Sequence, residues 1–433
     1  LLLDVVGFQP ALWLMAAAYL LFRSLFLGGL APVLHRPELS WPETLFSALA
    51  LIAAYVWKLI GPVQLTAFYV FHKSTSLTDP RVLAGLGVIV LCTGLFCYLW
   101  KRARPASFAL LWLFATLAPV LNARWMAANV FAERYLYLPS VAFCWLAACG
   151  AVWLWQAAPV QPPTRRRVLA GALLLVATLS IVRTVTRNRD WRDDMTLYSQ
   201  TLQVAPDAHV IRTNLGTVYW RQGDAVAAER EWQQASRQNP KNAVTLNNLG
   251  LLCTEQGRFS EAVDYLNRAI ALKPTYANAH VTLGMTYQAM GQPDRALAEF
   301  RTAVSLAPLN ADARYQLGKF LYEAGQIDEA REHFLRSIEA GPTGDALRFL
   351  GEIQLRQGYR DQAEASFRHA LELEPFDARV RLRLGQIYAA TGRTAEAARE
   401  FEAVLTTDPN NAEARAALGK APMAAPNPNL SPP

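Results

Sequence analysis

From residue 209 onward a single spacing governs the sequence. A Leu-Gly pair recurs at Leu215-Gly216, Leu249-Gly250, Leu283-Gly284, Leu317-Gly318, Leu350-Gly351 and Leu384-Gly385, with successive glycines 34, 34, 34, 33 and 34 residues apart. Twelve residues after each glycine stands an alanine (Ala228, Ala262, Ala296, Ala330, Ala363, Ala397), and four later a bulky residue (Trp232, Leu266, Phe300, Phe334, Phe367, Phe401). Prolines close the units at Pro240, Pro274, Pro308, Pro342, Pro375 and Pro409. This pattern predicts a helix–turn–helix unit. Gly and Ala sit where its two helices cross, the large residue fills the gap to the neighbour, and Pro stops the second helix because it cannot continue the hydrogen-bond ladder. Each unit leaves an apolar face that only the next can cover, so the expected form is a one-dimensional solenoid with a concave surface.

The period and its landmarks resemble the tetratricopeptide repeat. Six such repeats are expected over 209–411. Pro206 stands 34 residues before Pro240, so residues 191–206 read as the second helix of an incomplete unit, within a joint at 187–208. Residues 412–420 read as a capping helix, and 421–433, rich in proline, as a disordered tail. Peptide or protein binding is the expected role of the concave face. Asn214 and Asn248 each stand two residues before a repeat glycine. In the solenoid of nucleocytoplasmic O-GlcNAc transferases, which this stretch resembles, asparagines at that place bind the backbone of an extended peptide. The later units carry Thr282, Gln316, Phe349 and Arg383 there, and a purely structural asparagine remains the other reading.

The front of the chain obeys a different rule. Residues 1–200 hold 17 Lys/Arg and 8 Asp/Glu, whereas residues 201–433 hold 25 and 27, so the net charge of +7 belongs to the front half alone. Basic residues flanking apolar runs are what a membrane domain needs. The near-neutral rear half offers no bulk basic surface, which argues against a nucleic-acid partner. Apolar segments fall at 10–30, 44–60, 82–100, 106–121, 138–156 and 168–185, against the roughly 17–25 residues a spanning helix requires. The expected architecture is therefore all-α: a polytopic membrane domain of about six spans over 1–186, followed by the solenoid. The fourth and sixth segments are short and rely on end residues such as Lys101, Arg102, Arg104, Arg165, Arg166, Arg167 and Arg183 snorkelling to the interface. The dense blocks at 101–104 and 165–167 favour the cytoplasmic side, which puts everything after residue 186 on the far side.

The five cysteines form no CxxC pair, so neither a metal site nor a disulfide framework is expected. The chain carries no Gly-rich phosphate loop, HExxH, GxSxG or EF-hand pattern. The remaining candidates are polar residues on the presumed outer side: His72, Lys73 and Asp79, then Asn122, Arg124, Asn129, Glu133, Arg134, Tyr135 and Tyr137. In FAERYLYLPS (131–140) the tyrosines could belong to an interfacial aromatic belt with the charges among headgroups. Equally, an arginine at the membrane boundary suits the phosphate of a lipid-linked donor, which a guanidinium engages bidentately.

ERYLYLPS, between apolar spans and ahead of the repeats, resembles the transmembrane-and-tetratricopeptide family of protein O-mannosyltransferases and their bacterial relatives; GPVQLTAFYVFHKSTSLTDPRVLAGL is similar to the same family's membrane region. The resemblance implies a glycosyltransferase embedded in a bacterial inner membrane, taking sugar from a lipid-linked phosphate donor. Its repeats would present acceptor protein on the periplasmic or luminal side, and no cofactor is visible in the sequence. Arg134, Glu133, Tyr135, Tyr137, Arg124, His72 and Lys73 are the donor-side candidates it points to. The family's acidic catalytic residues lie in the first outer loop, upstream of this region. Asp4, Glu38, Glu43 and Asp79 form no acidic pair of that kind, so this chain is expected to be the C-terminal part of the enzyme, with its catalytic residues unknown. A membrane-anchored repeat scaffold without activity is the alternative, although it needs only one span.

Overall fold

A computed structural model describes residues 40–61, 73–121, 136–156 and 163–420, and these are all-α, with helices joined by turns and no strand among the described residues. The segments 10–30 and 421–433 lie outside them. The chain divides into two compact units, Leu1–Gln238 and Asn239–Pro433. The division falls between the first and second repeats.

The first unit holds the apolar helices. Helix α1 (Trp41–Ile60) begins with a reciprocal capping box, in which the Glu43 amide donates to Ser40 Oγ and the Ser40 amide to Glu43 Oε2. Helix α2 (Pro80–Trp100) is capped by Asp79, which accepts from the Arg81 amide at 2.9 Å, with Pro80 pre-set for the first helical position. The two helices meet at Gly85, where a Cβ would fall 1.9 Å from the Leu49 carbonyl oxygen, so only glycine fits. Helix α3 (Arg104–Leu117) ends in a 3-10 turn (Ala118–Leu121) and packs on α4 (Tyr137–Gln156). Leu51 and Tyr55 of α1, Leu113 and Leu117 of α3 and Ala142 of α4 form one buried cluster. Helix α5 (Pro163–Asp190) has no buried residue in its apolar stretch. Its hydroxyls turn inward instead: Thr178, Ser180 and Thr184 each donate to the carbonyl four residues earlier at 2.8–2.9 Å, the arrangement a lipid environment demands.

Four helices among the described residues are long and apolar enough to cross a membrane: α1, α2, α4 and Ala170–Asp190 of α5. The segment expected at 106–121 differs. Its α-helix has 14 residues, about 21 Å at 1.5 Å per residue against the roughly 30 Å of a bilayer core. Pro119 is the physical reason, because it has no N–H to donate four residues back. The segment at 168–185, short as an apolar run, lies inside a helix of 28 residues, because the arginine-rich flanks continue it.

Helix α6 (Asp194–Val204), capped by Asp193, packs through Tyr198, Leu202 and Ala205 onto Ile211 of α7 (His209–Arg221). Helix α8 (Ala225–Gln238) pairs with α7 and completes the first unit. In the second unit α9 (Ala243–Glu255) pairs with α10 (Phe259–Leu272), and α11 (Ala277–Ala289) with α12 (Pro293–Leu306). Next α13 (Ala311–Glu323) pairs with α14 (Ile327–Ala340), and α15 (Gly344–Arg356) with α16 (Arg360–Leu373). Helix α17 (Ala378–Ala390) pairs with α18 (Thr394–Thr407), which α19 (Ala412–Lys420) covers. The small and large positions meet where the sequence places them. A Cβ on Gly351 would lie 2.7 Å from the Phe367 ring, and one on Gly250 2.6 Å from Leu266 Cγ. Trp232, Leu266, Phe300, Phe334 and Phe367 are fully buried. A second glycine closes the first helix of each unit. Gly257, at φ +74°, takes the left-handed conformation that lets the chain reverse within two residues. At the start of the second unit first helices pack directly on one another (α9 on α11, α11 on α13), and no pair of second helices among the described residues packs comparably.

Candidate functional site

Two places hold the residues that the sequence marks for function. At the membrane half, Arg124, Glu133, Arg134, Tyr135 and His72 lie outside the described residues, as do Asn122 and Asn129. Lys73 is described, and its Nζ stands 2.8 Å from Glu43 Oε1 at the capped start of α1. Its charge is therefore already engaged by a carboxylate. Beside it the Ser74 amide donates to Ser47 Oγ at 3.1 Å, which brings the chain ahead of α2 against the first turns of α1. Asp79 is bound by Arg81 through two side-chain contacts, 3.1 Å from Nε and 2.7 Å from Nη2, and these hold its carboxyl well below the usual range. Tyr137 opens α4, is 76% exposed, and its carbonyl accepts from Ser140 Oγ. It stands apart from the Lys73–Glu43 pair in the sense that no contact between them exists among the described residues.

On the repeats, Asn214 is exposed on α7, near the Tyr198 hydroxyl of the preceding half-unit. Asn248 is half-buried on α9. Its neighbour Asn247 is the asparagine that reaches across to the next repeat, accepting from Thr282 Oγ1 at 3.0 Å in a buried bond. Thr282, at the place of Asn248 one repeat on, is thus consumed by packing. One more pair below it, Thr254 with Thr286 at 2.8 Å, extends the polar seam between α9 and α11.

Further along, the same register changes character. Phe349 of α15 stacks on Phe334 of α14 with centroids 5.2 Å apart and planes within 2°, and Tyr322 of α13 meets its edge at 5.2 Å. The buried Arg348 guanidinium lies over the Phe349 ring at 4.1 Å. Arg348 donates to Asp345 at 3.0 Å and to Glu352 at 3.1 Å. Glu352 also accepts from the Tyr322 hydroxyl at 3.1 Å, and Asp345 from Arg379 of α17 at 3.2 Å. One network therefore runs across three first helices, Tyr322–Glu352–Arg348–Asp345–Arg379. Burial pushes the Tyr315 hydroxyl beside it up to about 12, with the Asp345 carboxylate adding to the effect and Arg348 and Arg379 opposing it. Desolvation also raises the Asp312 carboxyl, with a hydrogen bond from Gln316 opposing it. The sequence analysis did not single out these residues. Their signal was available only in part: charged and aromatic side chains stand on successive first helices, but at different offsets from the repeat glycine.

Tetratricopeptide-repeat profiles match residues 207–275, 254–303, 281–345 and 350–412. The chain is similar to Protein O-mannosyl-transferase Tmtc2 of Drosophila melanogaster, at 35% identity over 143 residues, 33% of this chain and 15% of that protein. It is also similar to Protein O-mannosyl-transferase Tmtc1 of the same organism, at 38% over 111 residues, 26% of this chain and 13% of that protein. The match thus spans less than a sixth of either relative's length. Among solved structures, a thermophilic TPR protein of Thermus thermophilus shares 23% identity, covering 42% of this chain and 100% of that one, with a TM-score of 0.38. With its helix pairs and crossing glycines, this chain carries tetratricopeptide repeats within 207–412, and over part of its length it is similar to the TMTC protein O-mannosyl-transferases.

Proposed function

We propose that the chain is part of an integral-membrane protein glycosyltransferase of the O-mannosyl-transferase kind, whose repeats hold the acceptor protein. One juxtaposition carries this reading. Four helices apolar enough to cross a bilayer share a chain with a repeat array, and relatives of that chain bear the name protein O-mannosyl-transferase. An anchored scaffold needs one such helix. In this reading a lipid-linked sugar phosphate is the donor. Arg134, with Arg124 and Tyr137, meets its phosphate, since a guanidinium at the membrane boundary binds phosphate oxygens in pairs. The repeats face the periplasm or lumen and the membrane is a bacterial inner membrane. Asn214 and Asn248 contribute to the acceptor surface.

The test is transfer of labelled mannose from mannosyl polyprenyl phosphate to protein, in membranes carrying the full-length protein. Transfer that falls at least tenfold in Arg134→Ala, with unchanged protein level, supports the reading. Transfer unaltered by Arg134→Ala assigns the decapeptide to an interfacial anchor. No transfer from this or other polyprenyl-phosphate sugars leaves the membrane-anchored scaffold.

A further inference from the structure

The two faces of the last repeats carry opposite charge. First helices α15 and α17 hold five arginines against two acids, Asp345 and Glu352. Second helices α16 and α18 hold three arginines against six acids. Within the positive face, most cations are occupied: Arg348 and Arg379 by Asp345, and Arg381 by Glu400 at 2.6 Å. Arg356 and Arg383 differ, for neither makes an ion pair with a carboxylate among the described residues. Both are exposed. Arg356 lies 4.7 Å from the centroid of the Tyr322 ring, which holds its guanidinium in place. Arg383 is steadied by Gln386 Oε1 at 3.1 Å, and its field, like that of Arg356, reaches the Tyr322 hydroxyl. Glu352, which accepts from the Tyr322 hydroxyl, is already paired with Arg348.

We infer that Arg356, over the Tyr322 ring, and Arg383, on the next first helix, form the binding site for an acidic segment of a protein partner. The inference rests on the reading that the repeats bind protein and adds the chemistry they select. Two unpaired guanidinium groups on successive first helices are suited to carboxylates, and the Tyr322 ring beside Arg356 offers a surface for the backbone or side chains linking those carboxylates. An extended peptide fits the inner side of a curved array. A flat bilayer surface does not, and the acidic second helices would repel anionic headgroups. Arg383 also stands where the third repeat has Thr282: here the side chain is exposed, there it is taken by the bond to Asn247 across α9 and α11.

The experiment is fluorescence anisotropy with the full chain in nanodiscs of zwitterionic lipid, using fluorescein-labelled hexa-aspartate, hexaserine and hexalysine as probes. Hexa-aspartate is expected to bind at least tenfold more tightly than hexaserine, to weaken as salt rises, and to lose about tenfold in affinity with Arg356→Gln or Arg383→Gln. Arg360→Gln, on the acidic second helix α16, is expected to leave binding unchanged. Equal binding of all three probes, untouched by the two substitutions, overturns this inference and leaves the repeats as a peptide-binding surface. Binding of none of them overturns both. Competition by phosphatidylserine vesicles, with no preference for hexa-aspartate over hexaserine, assigns the arginines to lipid and likewise overturns it.

Discussion

His280 Nδ1 lies 2.7 Å from the Glu299 carboxylate, and the other ring nitrogen faces the Pro274 carbonyl. The same relation recurs elsewhere in the array. Arg212 reaches Glu231 at 2.8 Å and the Pro206 carbonyl at 3.0 Å, while Arg381 reaches Glu400 at 2.6 Å and the Pro375 carbonyl. A basic side chain near the start of a first helix thus ties its own second helix to the proline that closed the previous unit. Where the cation becomes leucine, at Leu246 and Leu347, the acid is gone too, replaced by Tyr265 and Ser366. The pair is lost or kept as a unit because a half-buried carboxylate without its partner is costly.

Glu299→Gln is therefore expected to lower stability by about 1.5–3 kcal/mol, the range for a hydrogen bond to a charged group. His280→Arg, which restores the pairing used by Arg212 and Arg381, is expected to leave stability unchanged or raised. Thermal unfolding of the two variants, followed by circular dichroism, checks both; an unmoved midpoint in Glu299→Gln would show the clamp to be idle.

The fourth repeat breaks the rule in one partner only. Arg314 bonds the Pro308 carbonyl at 2.5 Å, but the acid position holds His333. Burial, and then the Arg314 charge, lower its pKa below the ordinary value near 6.5, and its Nδ1 has no hydrogen-bond partner. A histidine depressed in the folded state binds its proton more readily when unfolded, so its contribution is complete above about 6.5 and is lost as pH falls toward the folded value. His333→Glu supplies the missing acid. It is expected to raise the unfolding midpoint at neutral pH and to flatten the loss of stability between neutral pH and the mildly acidic range. Parallel pH profiles for the two proteins would refute this.

Phe334 is fully buried and stacks on Phe349. Phe334→Ala removes this ring and leaves a cavity beneath Gly318, at an expected cost of about 3–5 kcal/mol. Because each unit leans only on its neighbours, the loss should be local. Hydrogen exchange is expected to accelerate in α13–α15 and to change little in α9, and uniform acceleration across the array would count against it.

In the membrane half, Gly85→Val places side-chain atoms against the Leu49 backbone, which cannot yield as a flexible side chain would. The α1–α2 contact is expected to open, with loss of the monodisperse peak in detergent size-exclusion chromatography. Gly94→Val, on the same helix with open space around it, serves as the control and is expected to behave as the parent.

The 34-residue period, the crossing glycines and alanines, the bulky fillers and the stopping prolines were legible in the sequence because each acts within one unit, at fixed offsets along the chain. The apolar helices were legible for a similar reason: length and hydropathy are local quantities. Pro119 was in plain view, yet its effect on the segment at 106–121 became plain only when the helix was seen to end at Leu117. The partners of the charged residues were a different matter. Lys73 meets Glu43 30 residues away, Arg379 meets Asp345 34 away, and Arg212 meets Glu231 19 away. No spacing rule for an isolated helix connects such pairs. The repeat sequence by itself determined that helices would stack, since only a neighbour can cover each apolar face. Tertiary structure decided which cations are spent on ion pairs and which, like Arg356 and Arg383, make none among the described residues, because ion pairing depends on distances across helices that the one-dimensional period does not contain.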